Sequence, residues 1–73
     1  MFFWEVLWID LDGQIHSMHS RRGQHTVDGC HRILLSISGV LDRKIREKGG
    51  RMLDVQVVYS THKYLYDSNE LLN

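Results

Sequence analysis

The first strand of this chain is apolar on both of its faces, and this feature constrains the fold most. A strand covered on one side alternates apolar and polar residues. Here one parity carries Phe3, Leu7 and Ile9, whereas the other carries Phe2, Trp4, Val6 and Trp8. Both faces of the predicted strand therefore need cover.

A chain of 73 residues with one helix can cover only one face of a sheet. We expect the face that holds Phe2, Trp4 and Trp8 to stay open and to bind a protein partner or a second copy of the chain, since Trp and Tyr are common at binding hot spots. The alternative is that these rings are core, covered by a C-terminal segment that contains Tyr64, Leu65, Tyr66, Leu71 and Leu72.

Size and composition indicate one small folded domain over residues 1–73. Such a chain buries only about 60% of its unfolded surface, so oligomers or bound partners are common at this size. Hydrophobic residues make up 42% and charged residues 25%, which argues against disorder. The single cysteine, Cys30, excludes an internal disulfide and favours the cytoplasm. Glu5 and Asp10 interrupt the N-terminal apolar run, so neither a signal peptide nor a membrane span is expected.

The turn after the first strand decides the register of the hairpin. Asp10-Leu11-Asp12-Gly13 suits a type I turn with a glycine bulge, and a two-residue Asp-Gly turn is the alternative. The bulged turn, which we favour, places Trp8 and Val6 on one face with His16 and Met18 of a strand over residues 14–20; the other turn would place Leu7 and Ile9 there.

A helix is predicted from the N-cap Thr26 to the glycines at 49 and 50, with Asp28 in its first turn. Its apolar stripe consists of Cys30, Leu34, Ile37, Leu41 and Ile45, widened by Ile33 and Val40.

A third strand is predicted over residues 51–60, with an alternation, broken only at Val58, that separates Leu53, Val55, Val57 and Tyr59 from Met52, Asp54, Gln56 and Ser60. A helix between the second and third strands crosses one face of the sheet, so the third strand pairs antiparallel with the first. The prediction is an α+β fold with ββαβ order, strand order 2-1-3 and one helix on one face. Residues 62–66 are expected to extend the third strand or to form a short fourth strand. Ser68 suits the start of a final helical turn.

Metal and catalytic sites are not expected. The five histidines (His16, His19, His25, His31 and His62) and Cys30 show no zinc-ligand spacing on one surface. The nucleophile pairings worth considering are Cys30 with a histidine and Ser17 with His16. A cysteine on the apolar stripe is buried and inert, and a one-helix domain has little room for an active-site pocket.

The alternative function is nucleic-acid binding by the basic segment. Residues 20–51 hold eight of the nine Lys and Arg residues and three of the nine acidic residues, a net charge of +5 that the flanks balance with −5. Arg21 and Arg22 precede the helix, and a second group follows at its other end: Arg43, Lys44, Arg46 and Lys48. These could bind phosphates, but the two groups would lie about 30 Å apart along the helix, and a solvated helix face with cations placed favourably for the helix dipole is the preferred explanation.

We therefore expect a small non-enzymatic protein without cofactor, which binds another protein as an inhibitor or adaptor. In size and character the chain looks like the small inhibitors encoded by bacteriophages and mobile elements. That resemblance involves no residue-level match and assigns no functional positions.

Overall fold

The structure, a computed structural model, describes residues 1–62. It consists of β1 (Phe2–Ile9), β2 (Ile15–His19), α1 (Val27–Glu47) and β3 (Arg51–Tyr59). The three strands form one antiparallel sheet in the order β2-β1-β3. The predicted ββαβ order with a central first strand is confirmed; the predicted fourth strand or final helical turn falls outside the described residues.

The β1–β2 turn has the bulged form. The Gly13 amide donates to the Asp10 carbonyl at 3.1 Å, and Gly13 has φ +82°. No other residue of the turn has positive φ, as a type I turn followed by a glycine bulge requires. Trp8 is consequently paired with His16, and Val6 with Met18, which confirms the favoured register.

The helix begins and ends at the predicted signals. The Thr26 hydroxyl accepts a hydrogen bond from the Gly29 amide at 3.0 Å, and Gly49 ends the helix with φ +76°. Four residues of the predicted stripe are buried, namely Cys30, Leu34, Leu41 and Ile45. The fifth, Ile37, is partly buried. Ile33 and Val40 do not widen the buried stripe, because they are 36% and 48% exposed.

The helix covers the face of the sheet that was expected to stay open. Trp4 and Trp8 are each only 5% exposed and belong to one core cluster with the helix residues. The expectation of an open tryptophan face is therefore wrong.

The neighbours of β1 explain which face the helix covers. Residues directly opposite each other on paired strands share a face. The tryptophan face is continued by Met18 on β2 and by Val57 on β3, whereas the other face is continued by Ser17, Asp54 and Gln56. Packing α1 on the tryptophan face buries these apolar side chains and leaves Asp54 and Gln56 exposed to water.

A bulge in β3 changes the predicted alternation of that strand. Leu7 pairs with Asp54 but Trp8 pairs with Met52, so Leu53 is an extra residue. Met52 therefore lies on the helix side and packs against the core. The prediction that Met52 shares a face with Asp54 is wrong for this reason.

Within residues 1–62 the helix does not combine the length and the apolar character that crossing a membrane requires.

Candidate functional site

The chain bulges outward between β2 and α1, and both ends of this bulge are hydrogen-bonded to β1. The Ser20 amide donates to the Trp4 carbonyl at 3.0 Å, and Gln24 and Phe2 exchange two backbone hydrogen bonds of 2.8 Å. Between these contacts β1 has one residue, Phe3, whereas the facing segment has three. The facing segment therefore has two residues more than β1. We call its three residues, Arg21, Arg22 and Gly23, the arginine bulge.

Gly23 holds the arginine bulge close to the sheet. A Cβ at this position would lie 2.5 Å from the Met1 Cβ and 2.8 Å from the Phe3 Cζ, closer than side chains can approach. Only glycine therefore lets the bulge lie against these two side chains. Phe3, on the face opposite the helix, is fully buried.

A cleft of about 340 Å³ lies between the arginine bulge and the helix. Within residues 1–62, the backbone of α1 lies over β1 and β3 rather than over β2, and the cleft is on the side of the helix that faces the arginine bulge. Three of its lining residues are apolar, namely Trp4, Ile33 and Ile37. The other four are polar or charged, namely Ser20, Arg21, Arg22 and Gln24.

The chemistry of the cleft is that of an apolar wall beside cations. Ile33 and Ile37 come from α1, and Trp4 comes from β1. The Ser20 hydroxyl accepts a hydrogen bond from the Trp4 amide at 3.2 Å and so fixes the start of the bulge. Among residues 1–62, no acidic side chain lines the cleft.

The three predicted partner-binding residues do not share one open surface. Trp4 contributes to the cleft, but Trp8 is buried with the core under α1. Phe2 is half-buried and meets the ring of Tyr59 edge-on, with centroids 5.2 Å apart. The structure instead brings Trp4 together with Arg21 and Arg22, which the sequence had assigned to the alternative nucleic-acid site.

The second basic group lies in the last turns of α1, beyond the cleft residue Ile37. A helix of 21 residues is about 31 Å long, and this group occupies its far end: Arg43, Lys44, Arg46 and Lys48. The Arg46 Nε is 2.9 Å from the Asp42 Oδ2, one turn away, so part of its charge is neutralised locally. The basic residues thus form two separate groups rather than one continuous surface.

Asp10 organises the β1–β2 turn. Its Oδ2 is 2.7 Å from the His16 Nε2, and its Oδ1 accepts hydrogen bonds from the amides of Asp12 and Gln14 at 2.8 and 2.9 Å. The hydrogen bond from His16, followed by that from Gln14, lowers the pKa of Asp10 below its ordinary value. These contacts stabilise the turn that sets the hairpin register.

The candidate nucleophiles are not arranged for chemistry. Cys30 is fully buried in the core, and this burial raises the pKa of its thiol, which disfavours the reactive thiolate. Ser17 and His16 lie on opposite faces of β2, opposite Leu7 and Trp8 respectively. Among residues 1–62, no three His, Cys, Asp or Glu side chains are grouped so that they could hold a metal ion.

Sequence reasoning missed the cleft residues Ser20, Gln24, Ile33 and Ile37 as parts of a site. The available signal was Ile33, an isoleucine beside rather than on the main helix stripe. Comparisons with protein-family models, with curated proteins and with solved structures found no match to this chain.

Proposed function

We propose that this protein is a small non-enzymatic protein-binding module, of the inhibitor or adaptor type, and that it holds its partner in the cleft beside the arginine bulge. The observation that carries the proposal is a cleft in which Ile33 and Ile37 of α1 lie next to two arginines on a hydrogen-bonded bulge. Arginine and tryptophan are enriched where interfaces derive most of their binding energy.

The backbone of this site is held by contacts within the chain itself. Hydrogen bonds to β1 hold both ends of the arginine bulge, and Gly23 packs on Met1 and Phe3. Binding to such a site loses less conformational entropy than binding to a mobile loop. This supports recognition of a partner by the bulge and the helix together.

Affinity capture from an extract of the native host, followed by identification of the retained macromolecules, tests the proposal. Ile33→Glu places a charge on the apolar wall and should abolish retention of the partner, with the fold checked by circular dichroism. Leu35→Glu is the matched control, because Leu35 is on the same helix, is 76% exposed and does not line the cleft. Equal retention by both variants would contradict the assignment of the cleft.

Nucleic-acid binding is the competing outcome. It predicts submicromolar binding of a fluorescent RNA or DNA probe, with an affinity that falls steeply with salt because phosphate contacts release counterions. Replacing both Arg21 and Arg22, or both Arg43 and Lys44, by neutral residues would then reduce the salt dependence of the affinity for the probe. For protein recognition, charge changes remote from the cleft should mainly alter the association rate.

A further inference from the structure

We propose that two copies of this chain associate through the outward face of α1, as a two-fold symmetric pair of antiparallel helices. The interface is a line of six residues that we call the outer stripe: Asp28, Arg32, Leu35, Gly39, Asp42 and Arg46. The inference goes beyond the proposed function, because the outer stripe shares no residue with the cleft.

Helix geometry brings the outer stripe together. Its members are spaced alternately by four and three residues, so they lie within about 40° of one line along α1. This spacing keeps a stripe facing a second helix along its length. The buried residues of α1, such as Leu34 and Leu41, lie on the other side of the helix. Five of the six members are exposed, and the sixth, Asp42, is partly exposed.

The charges of the outer stripe are complementary to those of a second copy that runs in the opposite direction. With the two-fold axis midway along the stripe, Arg32 of each copy faces Asp42 of the other. Asp28 of each copy likewise faces Arg46 of the other. Each of these pairings occurs twice in the symmetric dimer. A parallel pair in register would instead place every charge against its own kind, which is destabilising.

These charges are available to a second copy. Within residues 1–62, Asp28 and Arg32 form no ion pair with another side chain. The Arg46 Nε is 2.9 Å from the Asp42 Oδ2 of the same chain, and these side chains are 76% and 41% exposed. Asp28 and Arg32 of the second copy would extend this pair into a network, the arrangement in which surface ion pairs contribute to stability.

The centre of the outer stripe is apolar and permits a close approach. Leu35 is 76% exposed, and nothing in the described part of the chain lies within 4 Å of the Cβ position of Gly39. In the antiparallel pair, Leu35 of each copy lies opposite Gly39 of the other. Each leucine would therefore bury apolar area in the space that the glycine leaves open. This contact gives a reason for a glycine inside α1, where it weakens the helix.

The same features favour a second copy over a nucleic acid and indicate a weak dimer. Two acidic and two basic residues balance each other on the outer stripe, so it does not attract a polyanion. One helix face makes a small interface, and interfaces below about 1,200 Å² typically belong to weak or transient complexes. We therefore expect a reversible dimer that forms at high protein concentration.

Sedimentation equilibrium of the full chain from about 10 μM to about 1 mM, a range that covers weak association, tests the inference. The wild type should shift from monomer towards dimer as its concentration rises. Leu35→Glu should raise the dimer dissociation constant by about tenfold or more, because it places a charge at the apolar centre. Ile33→Glu is the matched control, since it makes the same change on the same helix outside the outer stripe, and it should dimerise like the wild type.

A charge exchange tests the antiparallel register. Arg32→Glu alone, or Asp42→Arg alone, places like charges opposite each other and should raise the dissociation constant by about tenfold or more. An equal mixture of the two variants restores opposite charges at both positions, so it should form a heterodimer within about threefold of the wild-type affinity. Arg51→Glu, at an exposed position of β3, makes the same charge change as Arg32→Glu and should leave the dimer unaffected.

A wild type that stays monomeric over the whole concentration range would overturn the inference. So would a dimer that Leu35→Glu does not weaken, or single charge variants that their mixture does not rescue. A monomeric wild type whose retention of a host protein is lost in Leu35→Glu would assign the outer stripe to a different partner and also overturn it. Failure of the proposed function is separate, because Ile33→Glu that retains the host partner contradicts the cleft and leaves the dimer unaffected.

Discussion

The imidazole of His16 lies flat against the indole of Trp8, with ring centroids 4.4 Å apart and 20° between the ring planes. The same imidazole is bound to the Asp10 carboxylate at the start of the turn. His16 therefore connects the turn that sets the hairpin register to a buried residue of the core. The hairpin and the helix-covered face stabilise each other through this stack.

The tryptophans are expected to be essential for the fold. Trp4→Ala or Trp8→Ala should reduce the free energy of unfolding by about 3–5 kcal/mol, because each removes a large buried ring. Urea denaturation followed by circular dichroism measures this loss. Tyr59→Ala, which truncates a ring that is 66% exposed, should cost much less. Trp8→Ala melting like the wild type would contradict the packing of α1 on this face.

The helix orientation has its own matched pair. Leu41 is fully buried and the adjacent Val40 is 48% exposed. Leu41→Ala should cost about 2–5 kcal/mol of unfolding free energy, whereas Val40→Ala should have only a small effect. The two thermal melting curves check this prediction. A larger loss for Val40→Ala would mean that the helix faces the other way.

Asp10 should make stability depend on acid pH. Its pKa is lower in the folded protein than its ordinary value of 3.8, so its contribution is present above that value and is lost as the pH falls through the lower, folded pKa. Asp10→Asn should therefore be less stable than the wild type at neutral pH. This difference in urea midpoint should shrink as the pH falls below about 3.8.

Asp12→Asn is the control for that pH series, since it removes the same charge from an exposed position of the same turn. A stability difference for Asp10→Asn that stays constant down to strongly acidic pH would contradict the carboxylate role of Asp10.

Two glycines should respond in opposite directions to alanine. Gly39 lies inside α1 with nothing within 4 Å of its Cβ position, so Gly39→Ala should stabilise the fold by about 0.5–1 kcal/mol. Gly23→Ala should destabilise it, because the added Cβ would meet Met1 and Phe3. Thermal unfolding gives both signs. A stabilising Gly23→Ala would show that the arginine bulge does not need its close contact with the sheet.

Much of the fold was predictable because its signals are local. The bounds of α1 follow from its apolar stripe, from the Thr26 cap and from the glycines after the helix. The type of the β1–β2 turn follows from Asp10 and Gly13. The candidate site was less predictable. Arg21 and Arg22 were identified as cations and Trp4 as a binding aromatic, but each was assigned to a different surface.

The sequence by itself determined the order of the elements, since residue periodicity, caps and turn residues act between positions close together in the chain. It also favoured the observed strand order and one of two possible hairpin registers. Only the tertiary structure decided which face of β1 is covered, because both faces are apolar and the choice depends on Met18 and Val57 from the neighbouring strands. It also decided the β3 bulge at Leu53 and the cleft between Ile33 and the arginine bulge. The cleft arises where the backbone of a helix lies over β1 and β3 rather than over β2, and no pattern within one segment encodes that offset.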